Sequence, residues 1–186
     1  MLGLGMIRGM IETGRNFFGS YHDPERLTTV QYPEEKLPPQ ENARTIPFLV
    51  YDGNDPMAGL RCTACTICEQ ECPAECITIV KDPIKKPDYL GKMQLHPKVF
   101  DIDITVCMGC GICAEVCPFD SIKMDRVFEL ARTQRTMVLH KQNLAKPNLY
   151  FQEIHPSEAA AVDEGRTQEL RKAEAKKAAA AAPAAP

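Results

Sequence analysis

The chain has 186 residues, of which 44% are hydrophobic, and its 22 basic and 25 acidic side chains give a net charge of -3. Because positive and negative charges nearly balance, the composition gives no electrostatic case for binding nucleic acid. No apolar stretch reaches the roughly 18 to 20 residues that a membrane-spanning helix needs. We therefore expect a soluble or peripheral protein.

Residues 1–20 predict an amphipathic helix. Arg8 and Glu12 interrupt the apolar stretch, and no small-residue cleavage site follows, so a secretory signal fits poorly. Such a helix can lie at a bilayer surface or pack on a partner subunit, and we expect one of these two roles. The apolar side chains recur at helical spacing: Met6, Ile7, Met10, Ile11, Phe17 and Phe18.

Residues 21–57 are rich in proline, which excludes a long helix. This segment also contains the apolar run from Phe48 to Tyr51. An extended segment with apolar side chains is more often laid along a partner's surface than left disordered. We therefore predict an extended proline-rich arm.

The most informative feature is a cysteine signature that occurs twice, as CTACTICEQECP (62–73) and CMGCGICAEVCP (107–118). This Cys-x-x-Cys-x-x-Cys-x-x-x-Cys-Pro run is typical of proteins that hold two 4Fe-4S clusters, in which the last cysteine of each run ligates the other cluster. We therefore predict eight cysteine ligands in two sets. The first cluster takes Cys62, Cys65, Cys68 and Cys117, and the second takes Cys107, Cys110, Cys113 and Cys72.

Zinc and disulfides are the alternatives for these thiols. One zinc site of four thiolates would leave most of the cysteines without a role. The cysteines are tightly spaced, and nine is an odd number, so a disulfide framework fits poorly. The iron-sulfur interpretation is the one that uses both runs.

The two runs are related by an offset of 45 residues, and this repeat predicts the fold. At that offset Cys76, the ninth cysteine, falls on Ser121, so we expect it to be a packed thiol and not a ligand. Strands are predicted at 77–80 and 122–124 after the loops, and at 99–104 before the second loop. Residues 58–130 thus form an α+β, pseudo-twofold, two-cluster ferredoxin-like domain, flanked by the N-terminal helix and extended arms.

Two further expectations follow from this domain. About 70 residues are too few for a stable apolar core alone, so we expect the removal of iron to unfold it. The second loop has Gly109 and Gly111 where the first has Ala64 and Thr66. Because the surroundings of the clusters differ, we expect the two clusters to differ in reduction potential.

The C-terminal part is predicted in two pieces. Residues 131–156 read as an extended partner-binding segment. Residues 157–186 lose their aromatic side chains and fill with Ala, Lys and Glu, and we expect a loosely ordered helix or a tether there.

With these motifs in view, the chain resembles the complex I (NADH-quinone oxidoreductase) subunit that carries two 4Fe-4S clusters in the peripheral arm, next to the membrane. The resemblance covers roughly residues 1–130. Outside the cysteines it depends on the N-terminal helix and on the segments TVQYPEEK (29–36), RCTAC (61–65), CPAECITI (72–79), FDIDITVC (100–107) and FELA (128–131).

The resemblance implies an electron-relay subunit of a proton-translocating NADH-quinone oxidoreductase, without catalytic residues, which passes electrons through both clusters toward quinone. It implies neighbouring cluster-bearing and quinone-site subunits as partners. It also implies a peripheral location on the cytoplasmic face of the inner (plasma) membrane, with the N-terminal helix at the membrane surface. A relay subunit of a related membrane-bound hydrogenase or ferredoxin-dependent complex, and a free two-cluster ferredoxin, remain as alternatives.

Overall fold

The computed structural model describes residues 3–87, 93–133 and 137–181, and the chain divides into two units, Met1–Pro38 and Pro39–Pro186. The first unit contains helix α1 (Leu4–Gly19), where the sequence predicts one, and a single 3-10 turn (Pro24–Arg26). The Asp23 carboxylate accepts a hydrogen bond from the Glu25 amide (3.1 Å) and so caps this turn. No described residue of α1 is buried.

The second unit alternates short strands and helices. Its strands are β1 (Pro47–Tyr51), β2 (Ile77–Lys81), β3 (Lys86–Pro87), β4 (Met93–Gln94), β5 (Pro97–Asp103), β6 (Ile122–Met124), β7 (Val138–His140) and β8 (Ala145–Pro147). Its helices are α2 (Ile67–Gln70), α3 (Ile112–Glu115), α4 (Lys141–Leu144), α5 (Asn148–Ile154) and α6 (Pro156–Ala181). The unit is therefore of the mixed α+β class that the sequence predicts. No helix in the described ranges is both long and apolar enough to cross a bilayer.

Two small sheets frame the cysteine loops. Strand β5 pairs antiparallel with β2, with Ile77 opposite Ile102, and also with β7. Strand β1 pairs antiparallel with β6, with Leu49 opposite Ile122, and parallel with β8. Each cysteine loop is therefore entered from one sheet and left toward the other, because β1 and β5 precede the loops whereas β2 and β6 follow them.

Strand β1 is buried on both faces, which explains its continuous apolar sequence. Leu49 packs into a large core that also contains Phe100 and Ile102 and extends to the cysteine side chains. Phe48 and Val50 point the other way, into a second core that contains no cysteine. The other members of that second core are Phe151, Ile154 and Ala159.

The position of β1 differs from the predicted extended arm at 21–57. Phe48, Leu49 and Val50 are at most 1% exposed within this chain itself, so their burial does not require the surface of a partner. The physical reason is that β1 supplies the partner strand that β6 needs. The predicted domain boundary at residue 58 consequently falls after a strand that belongs to the fold.

Residues 137–156 also differ from the predicted extended segment. They contain β7, α4, β8 and α5, and they complete both sheets and the second core. The helix α6 then follows, in the region where a loosely ordered helix or a tether was expected. Its first turns are held to the domain by ion pairs from Lys123 to Glu158 (2.7 Å) and from Arg166 to Asp52 (2.7 Å).

Candidate functional site: two cysteine-lined cavities

The eight predicted ligands line two separate cavities. Three thiols of each cavity come from one cysteine run, and the fourth comes from the other run. Cys62, Cys65, Cys68 and Cys117 line the first cavity. Cys107, Cys110, Cys113 and Cys72 line the second. The predicted ligands are thus brought together in the two predicted sets.

Apolar side chains complete both cavities. The first is closed by Leu49, Ile79, Phe100 and Ile122, and the second by Pro47, Ile77 and Met124. Such walls exclude water from a bound group and lower the local dielectric constant, which is one of the means by which a protein sets a reduction potential.

The two loops have the same backbone conformation at equivalent positions. Ala64 and Gly109 have φ of 52° and 63°, and Thr66 and Gly111 have φ of 68° and 80°. Further along, Glu75 and Asp120, each two positions before the strand that follows its loop, both have φ of 49°. Positive φ is uncommon for residues other than glycine. The turns are therefore imposed by the loop that places the three cysteines, and they do not depend on glycine alone.

The second-loop glycines have a further role that the sequence did not reveal. A Cβ on Gly109 would lie 2.8 Å from the backbone oxygen of Thr45, and a Cβ on Gly111 would lie 2.8 Å from the Arg44 guanidinium. Arg44 donates to the Cys110 carbonyl (3.0 Å) and pairs with Glu115 (2.7 Å). The absence of side chains at these glycines thus leaves room for the segment before β1, and the contacts of Arg44 in this segment hold the second loop in place.

A buried arginine supports the first loop in a comparable way. Arg61 precedes the ligand Cys62, and its side chain is 3% exposed. Its guanidinium donates two hydrogen bonds to the Asp52 carboxylate, at 2.9 and 2.8 Å. Burial by itself raises the pKa of Asp52, but hydrogen bonds and charge from Arg61 and Arg166 outweigh burial and lower it. Asp52 therefore stays ionised and fixes Arg61 beside the loop.

Burial dominates the acid-base chemistry of the ligand thiols. It raises the pKa of Cys62 to about 11, and the pKa values of Cys68 and Cys113 to about 12, and negative charge on the neighbouring cysteines acts in the same direction. Four thiolates so close together are stable only around positive charge, because each disfavours ionisation of the next. The donor set therefore fits an iron-containing group that binds thiolates.

Backbone amides surround the exchanged cysteines. The amide of Ser121 donates to Cys117 Sγ (3.4 Å). Burial raises the pKa of Cys72, but hydrogen bonds from Cys76, Ala74 and Glu75 lower it by more. Amides directed at sulfur stabilise a thiolate, as a ligand requires.

The ninth cysteine is placed as predicted, as a packed thiol. Cys76 is 6% exposed, and its Sγ lies 3.4 Å from Cys72 Sγ. It lines the second cavity beside the four predicted ligands. Ser121, its counterpart in the repeat, lines the first cavity, a role that was not predicted from the sequence. The offset of 45 residues is the signal that could have found it.

A single zinc ion would need sulfur atoms about 2.3 Å from one centre. Among the described residues, no three His, Cys, Asp or Glu side chains form such a group. The cysteines surround cavities that lie between the loops and the sheets. Four thiols on the walls of each cavity suit the larger iron-sulfur core of a 4Fe-4S cluster.

Comparisons with known proteins agree with this donor set. The family model described as "4Fe-4S dicluster domain" matches residues 61–121. The chain is 36% identical over 110 residues to "NADH-quinone oxidoreductase subunit I 2" of Geobacter metallireducens, covering 58% of this chain and 74% of that protein. It is 30% identical to the protein of the same name from Streptomyces coelicolor, covering 95% of this chain and 83% of that protein.

A third relative, "NADH-quinone oxidoreductase subunit I" of Pelobacter propionicus, is 33% identical over 125 residues, with 65% of this chain and 64% of the relative covered. Together the matches confirm the resemblance predicted from the sequence. They also confirm the predicted cofactors, two 4Fe-4S clusters. The chain belongs to the NADH-quinone oxidoreductase subunit I family.

Proposed function

We propose that this chain is an electron-relay subunit of a membrane-associated NADH-quinone oxidoreductase, with one 4Fe-4S cluster in each cysteine-lined cavity. In this proposal Cys62, Cys65, Cys68 and Cys117 hold the first cluster, and Cys107, Cys110, Cys113 and Cys72 hold the second. The observation that supports the proposal is that each cavity is lined by three thiols of one run and one thiol of the other.

A bound cluster supplies one-electron redox chemistry, and the chain supplies everything that makes this chemistry useful. Its cysteines fix the ligand positions, and its amides donate to Cys72 and Cys117. Phe100 and Leu49 exclude water from the first cavity. No side chain has to accept or donate a proton in this function. The subunit is thus part of an enzyme but contains no acid, base or nucleophile.

The exchange of ligands can be tested with three single variants of the full chain: Cys62→Ser, Cys107→Ser and Cys117→Ser. Each variant should lose or alter one cluster and leave the EPR signal of the other. If Cys117 belongs to the first cluster, the remaining signal in Cys117→Ser matches that in Cys62→Ser. A match with Cys107→Ser instead would contradict the exchange.

The surface of α1 supports a location at the membrane. Its apolar side chains cover roughly 160° of the helix at about 100° per residue. Arg8, Glu12 and Arg15 lie on the remaining face. Such a helix buries its apolar face at the boundary of the acyl chains while the charges stay in water. The exposed apolar residues are Leu4, Met6, Ile7, Met10, Ile11, Phe17 and Phe18, each at least 51% exposed.

We therefore propose that α1 rests on the cytoplasmic face of the inner membrane and that the second unit contacts the neighbouring cluster-bearing and quinone-site subunits. Ile7→Glu places a charge at the centre of the apolar face, and Asn16→Glu places the same charge on the polar face. Ile7→Glu should lower the binding of the full chain to anionic vesicles, whereas Asn16→Glu should not. Equal binding by both variants would contradict the membrane role.

The relay itself is tested by anaerobic purification from native membranes after a salt wash. We expect about eight irons with matching sulfide, two EPR signals, and co-purifying quinone reductase subunits. The same iron content on a lone soluble chain would contradict the proposal and identify a diffusing ferredoxin. Hydrogenase subunits in the assembly would identify the related relay complex.

A further inference from the structure

Two buried residues occupy the same position in the two repeats but are not ligands. Cys76 and Ser121 each lie four residues after an exchanged cysteine, and they are 6% and 2% exposed. Each lines the cavity that contains that exchanged cysteine. The two cavities therefore differ at this position by a thiol and a hydroxyl.

The Ser121 hydroxyl points to a hydrogen-bond acceptor inside the first cavity. Among the described residues, its oxygen is buried and has no hydrogen-bond partner. It lines this cavity together with the thiols of Cys62 and Cys117. A buried hydroxyl without a partner destabilises a fold, so an acceptor is expected. A sulfur of the cluster in this cavity would be that acceptor.

Cys76 has the corresponding place in the second cavity. Its Sγ lies 3.4 Å from Cys72 Sγ, within the range of a weak hydrogen bond that involves sulfur. An uncoordinated thiol carries its proton at neutral pH, whereas a ligand cysteine is a thiolate. The Cys76 S–H is therefore the donor and the Cys72 sulfur the acceptor. The direction of donation is the same as for the Ser121 hydroxyl.

Hydrogen bonds to the sulfurs of a cluster raise its reduction potential, because they stabilise the more negative, reduced state. A hydroxyl is a stronger donor than a thiol. We propose that Ser121 and Cys76 are equivalent positioning residues that tune the two clusters unequally, with Ser121 raising the potential of the first cluster by more than Cys76 raises that of the second. This inference rests on the proposed function, since it uses the proposed assignment of ligands to cavities.

The test is an EPR-monitored redox titration of the full chain with both clusters, using four variants. Ser121→Ala should lower one midpoint potential. The redox equilibrium constant of that cluster should change by a few-fold to tenfold, and a tenfold change is about 59 mV for a one-electron couple. Ser121→Cys should lower the same midpoint by less. Cys76→Ser should raise the other midpoint, and Cys76→Ala should lower it slightly.

Ile102→Val and Ile154→Val are the matched controls, because these residues are buried in the two cores but line neither cavity. They change packing without removing a donor, so both midpoints should stay at their wild-type values. The tuning role is overturned if the serine and cysteine variants shift the midpoints no more than these controls. It is also overturned if each variant moves both midpoints equally.

Iron and sulfide content separates this inference from the proposed function. A wild-type chain without two clusters would contradict the proposed function. Two clusters whose midpoint potentials do not change in the variants at positions 76 and 121 would contradict the tuning role alone. If both Ser121→Ala and Ser121→Cys lose a cluster, Ser121 is needed for assembly of the site, and the tuning role is overturned as well.

Discussion

A buried carboxylate joins the cluster domain to the segment that follows it, and it gives the sharpest test of the fold. Asp125 follows β6 and is fully buried. It forms an ion pair with Lys146, accepts a hydrogen bond from the Tyr150 hydroxyl (2.7 Å), and accepts two more from the amides of Arg126 (2.7 Å) and Val127 (3.3 Å). We expect Lys146→Met to destabilise the domain, because it leaves this carboxylate buried without its cation.

The size of the effect follows from the surroundings of Asp125. Removing one partner of a buried ion pair costs about 3 to 5 kcal/mol. Lys146 is 27% exposed, and three hydrogen bonds to the carboxylate remain, so we expect about 3 kcal/mol for Lys146→Met. Tyr150→Phe removes one hydrogen bond to a charged group, and we expect about 1.5 to 2 kcal/mol.

The assay is urea unfolding of the chain with its clusters, followed by the loss of cluster absorbance. Lys85→Met is the matched control, because it makes the same substitution at an exposed position and should change stability by no more than about 0.5 kcal/mol. The double variant Asp125→Asn with Lys146→Met should be more stable than the sum of its single effects predicts. Equal stability of Lys146→Met and Lys85→Met would refute the reasoning.

The same carboxylate predicts a dependence on pH. Burial alone raises the pKa of Asp125, but hydrogen bonds from Lys146 and Tyr150 outweigh it, and the pKa in the folded chain lies below the usual 3.8. The folded state therefore holds this proton more weakly than the unfolded state does. The stabilisation is present above about pH 3.8 and is lost as the pH falls through the folded pKa. In Lys146→Met the loss should begin at a higher pH, and identical pH profiles would contradict this account.

Two further substitutions test other contacts of the site. Gly109→Ala should cost at least about 2 kcal/mol in the same urea assay, because φ is 63° and the new Cβ would lie 2.8 Å from the Thr45 oxygen. Gly14→Ala is the control: its Cβ would meet nothing within 4 Å, so this variant should be neutral or stabilising. Arg166→Leu should cost about 1 kcal/mol or less, since its partly exposed ion pair with Asp52 (2.7 Å) is one of several contacts that hold α6. A larger loss of stability in Arg166→Leu than in Gly109→Ala would contradict this account of the two contacts.

The strands next to the cysteine runs could be predicted from the sequence because their apolar periodicity and their short distance from the cysteines are both local features of the chain. Ile77–Lys81 and Pro97–Asp103 lie close to the predicted 77–80 and 99–104, and Ile122–Met124 matches its prediction. These strands follow or precede a cysteine run by only a few residues. The spacing of the cysteines therefore fixes the strands almost directly.

Strand β1 was missed because an insertion separates it from the first cysteine run, so it does not align with β5 at the offset of the repeat. The second run begins four residues after β5 ends, but the first begins eleven residues after β1 ends at Tyr51. The extra residues form the turn that contains Asp52, the partner of Arg61 and Arg166. A fixed offset of 45 residues cannot align strands across such an insertion. Prolines on both sides of Phe48–Tyr51 further suggested an arm.

The elements from β7 to α5 were missed for a different reason. Their contacts are long-range: Lys146 reaches Asp125 and Phe151 packs against Phe48 and Val50. A single sequence shows amphipathic periodicity but not which distant strand an apolar residue will cover. The helix α5 has seven residues, too few to give a clear helical pattern.

Removal of iron tests how far the clusters stabilise this larger fold. The prediction of unfolding was based on a domain of about 70 residues, whereas the unit spans Pro39–Pro186 and includes a second core without cysteines. Strand β1 links the two cores, since Leu49 faces the cysteines and Phe48 and Val50 face the second core. Because β1 pairs with β6, which directly follows the second cysteine run, loss of the clusters should also remove order from the second core.

We therefore expect an anaerobically chelated chain to lose most of its β-sheet circular dichroism and the amide protection of β1 together. Among the side chains that the structure describes, those of α6 that contact the second core lie in its first turns, so part of the helical signal should remain. A cluster-free chain with a native spectrum would show that the apolar cores suffice. A chain that loses protection in β2 and β5 but keeps it in β1 would show that the two cores unfold independently and that β1 does not couple them.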